Sequence, residues 1–147
     1  MALLLLATYH LSMSQLTDQL NLSDIRRVTQ QFYLKARHDP IIGHYFDHID
    51  DFTSHEEKIS AFWWLALGGT TAELPAAVPS FDMINKHILL GIKESDLTIW
   101  LGHFEQTLFE TLETELASAW KAKAFEIASH LKALAIEGKS GGIHINN

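Results

Sequence analysis

The chain has 147 residues, 47% apolar and 20% charged, a size and balance that suit one folded domain with its own core and exclude a disordered polymer. A formal charge of -7, with 11 Lys and Arg scattered along the chain, excludes a general nucleic-acid binder and disfavours anionic membrane surfaces. Cysteine is absent, which excludes disulfides, thiol catalysis, iron–sulfur ligation, thiolate zinc sites and covalent thioether attachment of a prosthetic group, and the 9 histidines leave nitrogen as the available metal ligand.

The amino-terminal Met1-Ala-Leu-Leu-Leu-Leu is apolar but lacks a basic flank and is too short to span a bilayer. Residues 1–20 are therefore expected to be a flexible extension, with Met13 a second sensible start. No other run approaches membrane-spanning length, so the expected location is the cytoplasm, consistent with the lack of cysteine.

The patterns that follow are helical, with no sustained period-two alternation. Asn21-Leu22-Ser23 can cap a helix over 24–38, whose apolar stripe is Ile25, Val28, Phe32 and Ala36 with Tyr33 on its shoulder. Asp39-Pro40 ends it, because the residue before proline avoids the helical region. Residues 41–51 read as short and irregular. Thr53 and Ser54, followed by Glu56 and Glu57, match overlapping capping boxes for a helix to about Leu67, stopped by Gly68-Gly69. Its inward face is expected to be His55, Ile59, Phe62 and Ala66. A loop over 70–79 leads to Ser80, a cap for a short helix to about Leu89 with Met83, Ile84, His87 and Ile88 on one face, broken by Gly91. Ser95 can cap a long helix with Leu97, Trp100, Leu101, Phe104, Leu108 and Leu112 inward. A last helix over 117–137 buries Trp120, Ala124, Ile127, Leu131 and Leu134, and Gly138 stops it. The expected organisation is a flexible extension (1–20), one all-α domain (21–138) and a flexible tail (139–147).

Several residues on these faces carry chemistry. His55 and His87 lie on separate inward stripes. A haem held without covalent links needs one imidazole on iron and an apolar slot around the ring, with a second polar group opposite to meet a bound diatomic ligand. Tyr33 could reach that side, and Trp100 could floor the pocket. Read from periodicity alone, His55 and His87 are hydrogen-bonded core residues sooner than ligands, and Tyr33, Phe46 and Trp100 core aromatics. His44 and His48, four apart and near Asp47 and Asp51, would share a face only if that stretch were helical, and two ligands do not make a zinc site. His103 and His130 fall at the edges of the stripes, with no role assigned. Gly68-Gly69-Thr70-Thr71 lacks the lysine of a phosphate loop, and no Gly-x-Ser-x-Gly elbow is present, so nucleotide and hydrolase readings lack support.

Phe32-Tyr33 through Asp39-Pro40, Gly43 and Phe46, then Ser54-His55 through Lys58-Ile59, Phe62 and Trp63, then Lys86-His87 and Trp100-Leu101-x-x-Phe104 resemble, in this order and spacing, the truncated haemoglobins, in particular group III. The resemblance spans residues 22–135. It implies a truncated globin fold, a two-over-two helical sandwich enclosing haem b (iron protoporphyrin IX). It also implies His87 as the proximal iron ligand, and a cofactor pocket that includes Phe46, His55, Ile59, His87 and Trp100. Tyr33, His55 and Trp100 would form the distal, ligand-binding side. The implied ligands are O2, with NO and CO, and the implied role is redox or NO-detoxifying more than oxygen transport. A dioxygenase or peroxidase-like activity would need an unidentified electron donor, since nothing in the chain suggests a flavin or nicotinamide site. The loop over 70–79 is longer than in that group, and Ile-Leu-Leu-Gly follows His87 in place of a proline-containing turn. The alternative reading is a haem-free all-α interaction or sensory module with core histidines.

Overall fold

The structure, a computed structural model, describes residues 16–75 and 83–136, and among these every regular element is helical. A short helix α1 (Leu16–Gln19) precedes α2 (Leu22–Ala36). Asn21 caps α2 reciprocally: its Oδ1 accepts from Asp24 N–H at 2.8 Å, and the Asp24 carboxylate accepts from Asn21 N–H at 3.1 Å. Ile25, Val28, Phe32 and Ala36 are buried as the spacing predicts, joined by Thr29 and Tyr33. The helix closes at Ala36, shortly before the Asp39-Pro40 step. A connection over 37–51 follows, regular only in the single 3₁₀ turn Gly43–Phe46.

Helix α3 (Phe52–Ala66) is capped by Asp51, whose Oδ1 accepts from Ser54 N–H at 3.1 Å. This corrects the expected Thr53 and Ser54 caps: both lie inside the first turn, and a carboxylate is the stronger acceptor at the positive end of a helix. The helix stops at Gly68, whose φ of 108° suits a residue without Cβ. The inward face also differs from expectation. Ser60, Ala61, Trp63 and Trp64 are buried, whereas His55, Ile59, Phe62 and Ala66 are only partly so. The helix is apolar on two sides because it has two surfaces to cover, a packed core and a cavity wall.

A 3₁₀ turn (Thr71–Glu73) sits in the following loop. Helix α4 (Met83–Leu90) ends before Gly91, as the break predicts, while the Ser80 cap and the Met83 and Ile84 side chains lie outside what the structure describes. Helix α5 (Glu94–Thr111) starts two residues earlier than a Ser95 cap would set it, with the Asp96 carboxylate accepting from Lys93 N–H at 3.1 Å. Helix α6 (Thr114–Leu131) begins before the expected Ala117 and passes into a π-helical segment, Lys132–Ile136; the Gly138 stop and the tail lie outside the described residues.

Helices α2 and α3 pack as one pair and α5 and α6 as another, with α2 lying on α5 to join them, which is the two-over-two arrangement. Where α2 meets α3 the contact is small and polar: Ser60 Oγ lies 3.2 Å from Thr29 Oγ1, which donates to Ile25 C=O at 2.9 Å. The centre is aromatic. Phe104 stacks on Trp63 and on Trp100, both with ring centroids 5.2 Å apart, and Trp120, wholly buried, meets Trp63 and Phe104 edge-on. Leu16 and Leu20 are 4% and 2% exposed and belong to this core, so the packed unit begins before the boundary expected at residue 21. No helix among the described residues is long and apolar enough to cross a membrane.

Candidate functional site

The two helix pairs, the 37–51 connection and α4 enclose a cavity of about 300 Å³, within the range of small-molecule and cofactor sites. All six residues singled out in the sequence line it: Tyr33 from α2, Phe46 from the connection, His55 and Ile59 from α3, His87 from α4 and Trp100 from α5. Residues more than fifty positions apart in sequence, Tyr33 and His87 among them, thus share one wall system.

Tyr33 and His55 are bonded to each other, with the phenolic oxygen 2.9 Å from His55 Nε2. The helices put them there. Tyr33 sits one position past Phe32 on the α2 stripe, and His55 occupies the first turn of α3, where the Asp51 cap sets the entry angle. Phe46 and Phe52 meet the Tyr33 ring edge-on at 5.4 and 5.7 Å, fixing its orientation. Burial, reinforced by the Glu56 charge, pushes the Tyr33 phenol well above its ordinary pKa. Burial, then Lys58 and His48, lowers the His55 imidazole to about 4. Both groups are therefore neutral near pH 7. With a neutral imidazole two arrangements exist: the phenol donates to Nε2, or Nε2–H donates to the phenolic oxygen and frees the phenolic hydrogen for the cavity.

Trp100 presents its ring to the cavity between Phe104, stacked at an interplanar angle of 9°, and Phe32, edge-on at 5.1 Å. His87 is partly buried, and Lys86 beside it also borders the cavity. Leu89 and Leu90 continue that side, with Leu89 81% exposed, so α4 offers apolar side chains both inward and outward.

Two parts of the site escaped the sequence reading. Ala124, Ile127, Ala128 and Leu131 of α6 close one end; three of them were expected to be inward, but periodicity cannot separate a cavity wall from a core. The second is Tyr45 with Asp96. The Tyr45 hydroxyl donates to Asp96 Oδ2 at 2.6 Å, across 51 residues, and both line the cavity. That bond is the main cause holding the Asp96 carboxyl below its usual range and pushing Tyr45 up to about 12. A pairing of this length has no local sequence signal. Elsewhere His103, left without a role, binds the Asp39 carboxylate through Nε2 at 2.8 Å and ties α5 to the 37–51 connection. His44 lies within a 3₁₀ turn and His48 just past its end, and no group of three or more His, Asp or Glu placed to hold a metal ion occurs among the described residues.

The donor set fits a flat apolar cofactor with one metal. It has an apolar slot with aromatic walls, an imidazole contributed by α4, and a separate neutral hydrogen-bonding pair contributed by α2 and α3. Comparison with known proteins points the same way. The sequence profile of the bacterial-like globins matches residues 18–133. Among solved structures, the group III truncated hemoglobin from Campylobacter jejuni is similar at 25% sequence identity and a TM-score of 0.68, covering 79% of this chain and 91% of that one. No curated protein matches the chain.

Proposed function

Because the chain belongs to the bacterial-like globin family, we propose that its cavity holds haem b, with His87 on the iron and Tyr33, His55 and Trp100 facing a bound diatomic ligand. The observation that carries this reading is that His87 and the Tyr33–His55 pair line one apolar cavity. The absence of cysteine rules out thioether attachment in this chain, so the group is retained by the apolar walls and one imidazole. Bound there, haem would supply a redox-active iron able to take O2, NO or CO.

The chain's own contribution is selective binding. In the arrangement where His55 Nε2–H donates to the phenolic oxygen, the Tyr33 hydroxyl hydrogen is free for the cavity and would meet the ligand. A donor aimed there favours ligands that accumulate negative charge, O2 ahead of CO. The Trp100 and Phe46 rings keep water away, which strengthens that hydrogen bond. Tight retention of a polarised ligand suits a redox or NO-detoxifying role more than oxygen transport. Sustained turnover would draw on a separate electron donor, and the cytoplasm is the compartment that provides one.

Haem reconstitution followed by absorption spectroscopy tests the reading. We expect an intense Soret band that shifts when CO is added to the reduced protein, and whose intensity falls in His87→Ala. No Soret band after reconstitution would return the chain to a haem-free helical module. A band unchanged in His87→Ala would remove His87 as the iron ligand.

A further inference from the structure

The 37–51 connection has the cavity on one side and solvent on the other. Tyr45, Phe46 and Ile49 are partly buried and line the cavity, while the intervening His44, Asp47 and Asp50 are exposed. The segment is pinned at both ends. At the first, the Asp39 carboxylate accepts from Ile41 N–H at 2.7 Å and Ile42 N–H at 3.0 Å and binds His103. Gly43 there packs so closely on Arg37 that a Cβ would lie 2.6 Å from the Arg37 carbonyl oxygen. At the other end Asp51 caps α3. Between these anchors Tyr45 reaches across the cavity wall to Asp96 on α5.

We propose that the Tyr45–Asp96 hydrogen bond is the latch of a ligand gate, in which residues 44–50 act as a flap that opens to let a small ligand enter or leave. The two halves of the latch differ in rigidity. Asp96 is 8% exposed, sits in the first turn of an 18-residue helix where a carboxylate is favoured, and is held a second time by Lys93 N–H. Tyr45 sits on a single 3₁₀ turn, which is the movable half. An O–H···O⁻ bond of 2.6 Å is charge-assisted and strong. Opening exchanges it for water, and the net strength of such a bond sets the open population about tenfold or more below that of an unlatched flap. Tyr45 then governs how fast ligands pass without governing how tightly they bind, since in the closed state Phe46 still packs on the Tyr33 ring and the Tyr33–His55 pair keeps its bond. The ligand in this proposal rests on the haem reading; the flap does not.

The test uses the haem-loaded protein and CO. Tyr45→Phe keeps the ring and removes the hydroxyl. We expect association and dissociation to accelerate together, by about tenfold, with Kd unchanged. Asp96→Asn retains a neutral acceptor, so the same paired acceleration should appear at smaller size, and it decides the matter by itself if Tyr45→Phe fails to fold. A change in one rate alone, and hence in Kd, would make Tyr45 a ligand contact and overturn the gate. Unchanged rates, with acceleration only in His55→Leu, would place the route beside His55 and overturn it too. A cofactor-free readout separates the two readings. In haem-free protein, amide hydrogen exchange over residues 44–50 should quicken in Tyr45→Phe while the centres of α2 and α6 stay protected. No change there would sink the flap and leave haem binding standing; failure of haem loading would sink the haem reading while exchange still tests the flap.

Discussion

Tyr33 and His55 define the chemistry at the scale of single residues. Burial penalises the charged form of each, raising the Tyr33 phenol and lowering the His55 imidazole, so both are neutral near pH 7 and bonded to each other. Tyr33→Phe deletes the hydroxyl and keeps the ring packed against Phe46 and Phe52. In the haem-loaded protein it should speed O2 dissociation by about tenfold, the value of one hydrogen bond of roughly 1–2 kcal/mol, as measured by stopped-flow displacement. An unchanged off-rate would take Tyr33 out of the ligand site. His55 makes a separate prediction about stability. Its folded pKa, about 4, lies below the ordinary value of 6.5. Between those values the unfolded chain binds more protons than the folded one, so stability falls as pH drops through that window. Urea denaturation of the haem-free protein at pH 7 and pH 4.5 should show a smaller loss in His55→Gln than in the parent; equal losses would mean that His55 titrates as freely in the fold as out of it. Tyr33 and His55 were both legible in the sequence as residues beside apolar stripes. Their mutual bond was not, because a contact between separate helices depends on how those helices cross.

At the scale of elements, the helices that carry the site are held by their ends. Asp51 starts α3 and thereby sets where His55 points. Asp51→Ala should cost about 1 kcal/mol, read as a lowered urea midpoint, while Thr53→Ala should cost much less because Thr53 is not the cap. The sequence reading named Thr53 and Ser54 and passed over Asp51, and only the observed backbone shows which side chain caps the helix. Gly43 makes the corresponding prediction for the connection. Its Cβ would meet the Arg37 carbonyl oxygen at 2.6 Å, and a backbone atom has little room to retreat. Gly43→Ala should therefore destabilise by about 1–3 kcal/mol, in the range of overpacking, checked by the same denaturation. Helix α3 also explains why the expected inward face was only half of the answer. His55, Ile59 and Phe62 do face inward, but toward the cavity, while Trp64 fills the core and Trp63, buried, borders both. A stripe of apolar residues reports that water is excluded, not what replaces it.

For the whole molecule, the cavity links cofactor binding to stability. A ligand that binds only the folded chain stabilises it by about 2.7 kcal/mol at a hundredfold excess over Kd. Haem loading should therefore raise Tm, and amide exchange in α4 should slow most, since that helix is short and presents Leu89 and Leu90 to solvent. Calorimetry of haem-free and loaded protein checks the first part and exchange the second. Equal Tm values would show that the haem is not seated in the folded cavity.

Order and spacing along the chain were enough to determine an all-α domain and the approximate limits of its main helices, which depend on local physics: helical periodicity, caps, breaks at glycine and proline, and burial of an apolar stripe. The six residues that the fold gathers around one cavity were brought together in the sequence by the resemblance to the truncated haemoglobins, since periodicity alone left them as core residues. The pairing of α2 with α3 and α5 with α6, the cavity they leave between them, the α6 wall, and the Tyr33–His55, Tyr45–Asp96 and Asp39–His103 bonds belong to the tertiary structure. Each joins residues from different elements. Such contacts are decided by helix crossing and by the burial of polar groups that must find partners, and neither leaves a mark in the spacing of a single chain segment.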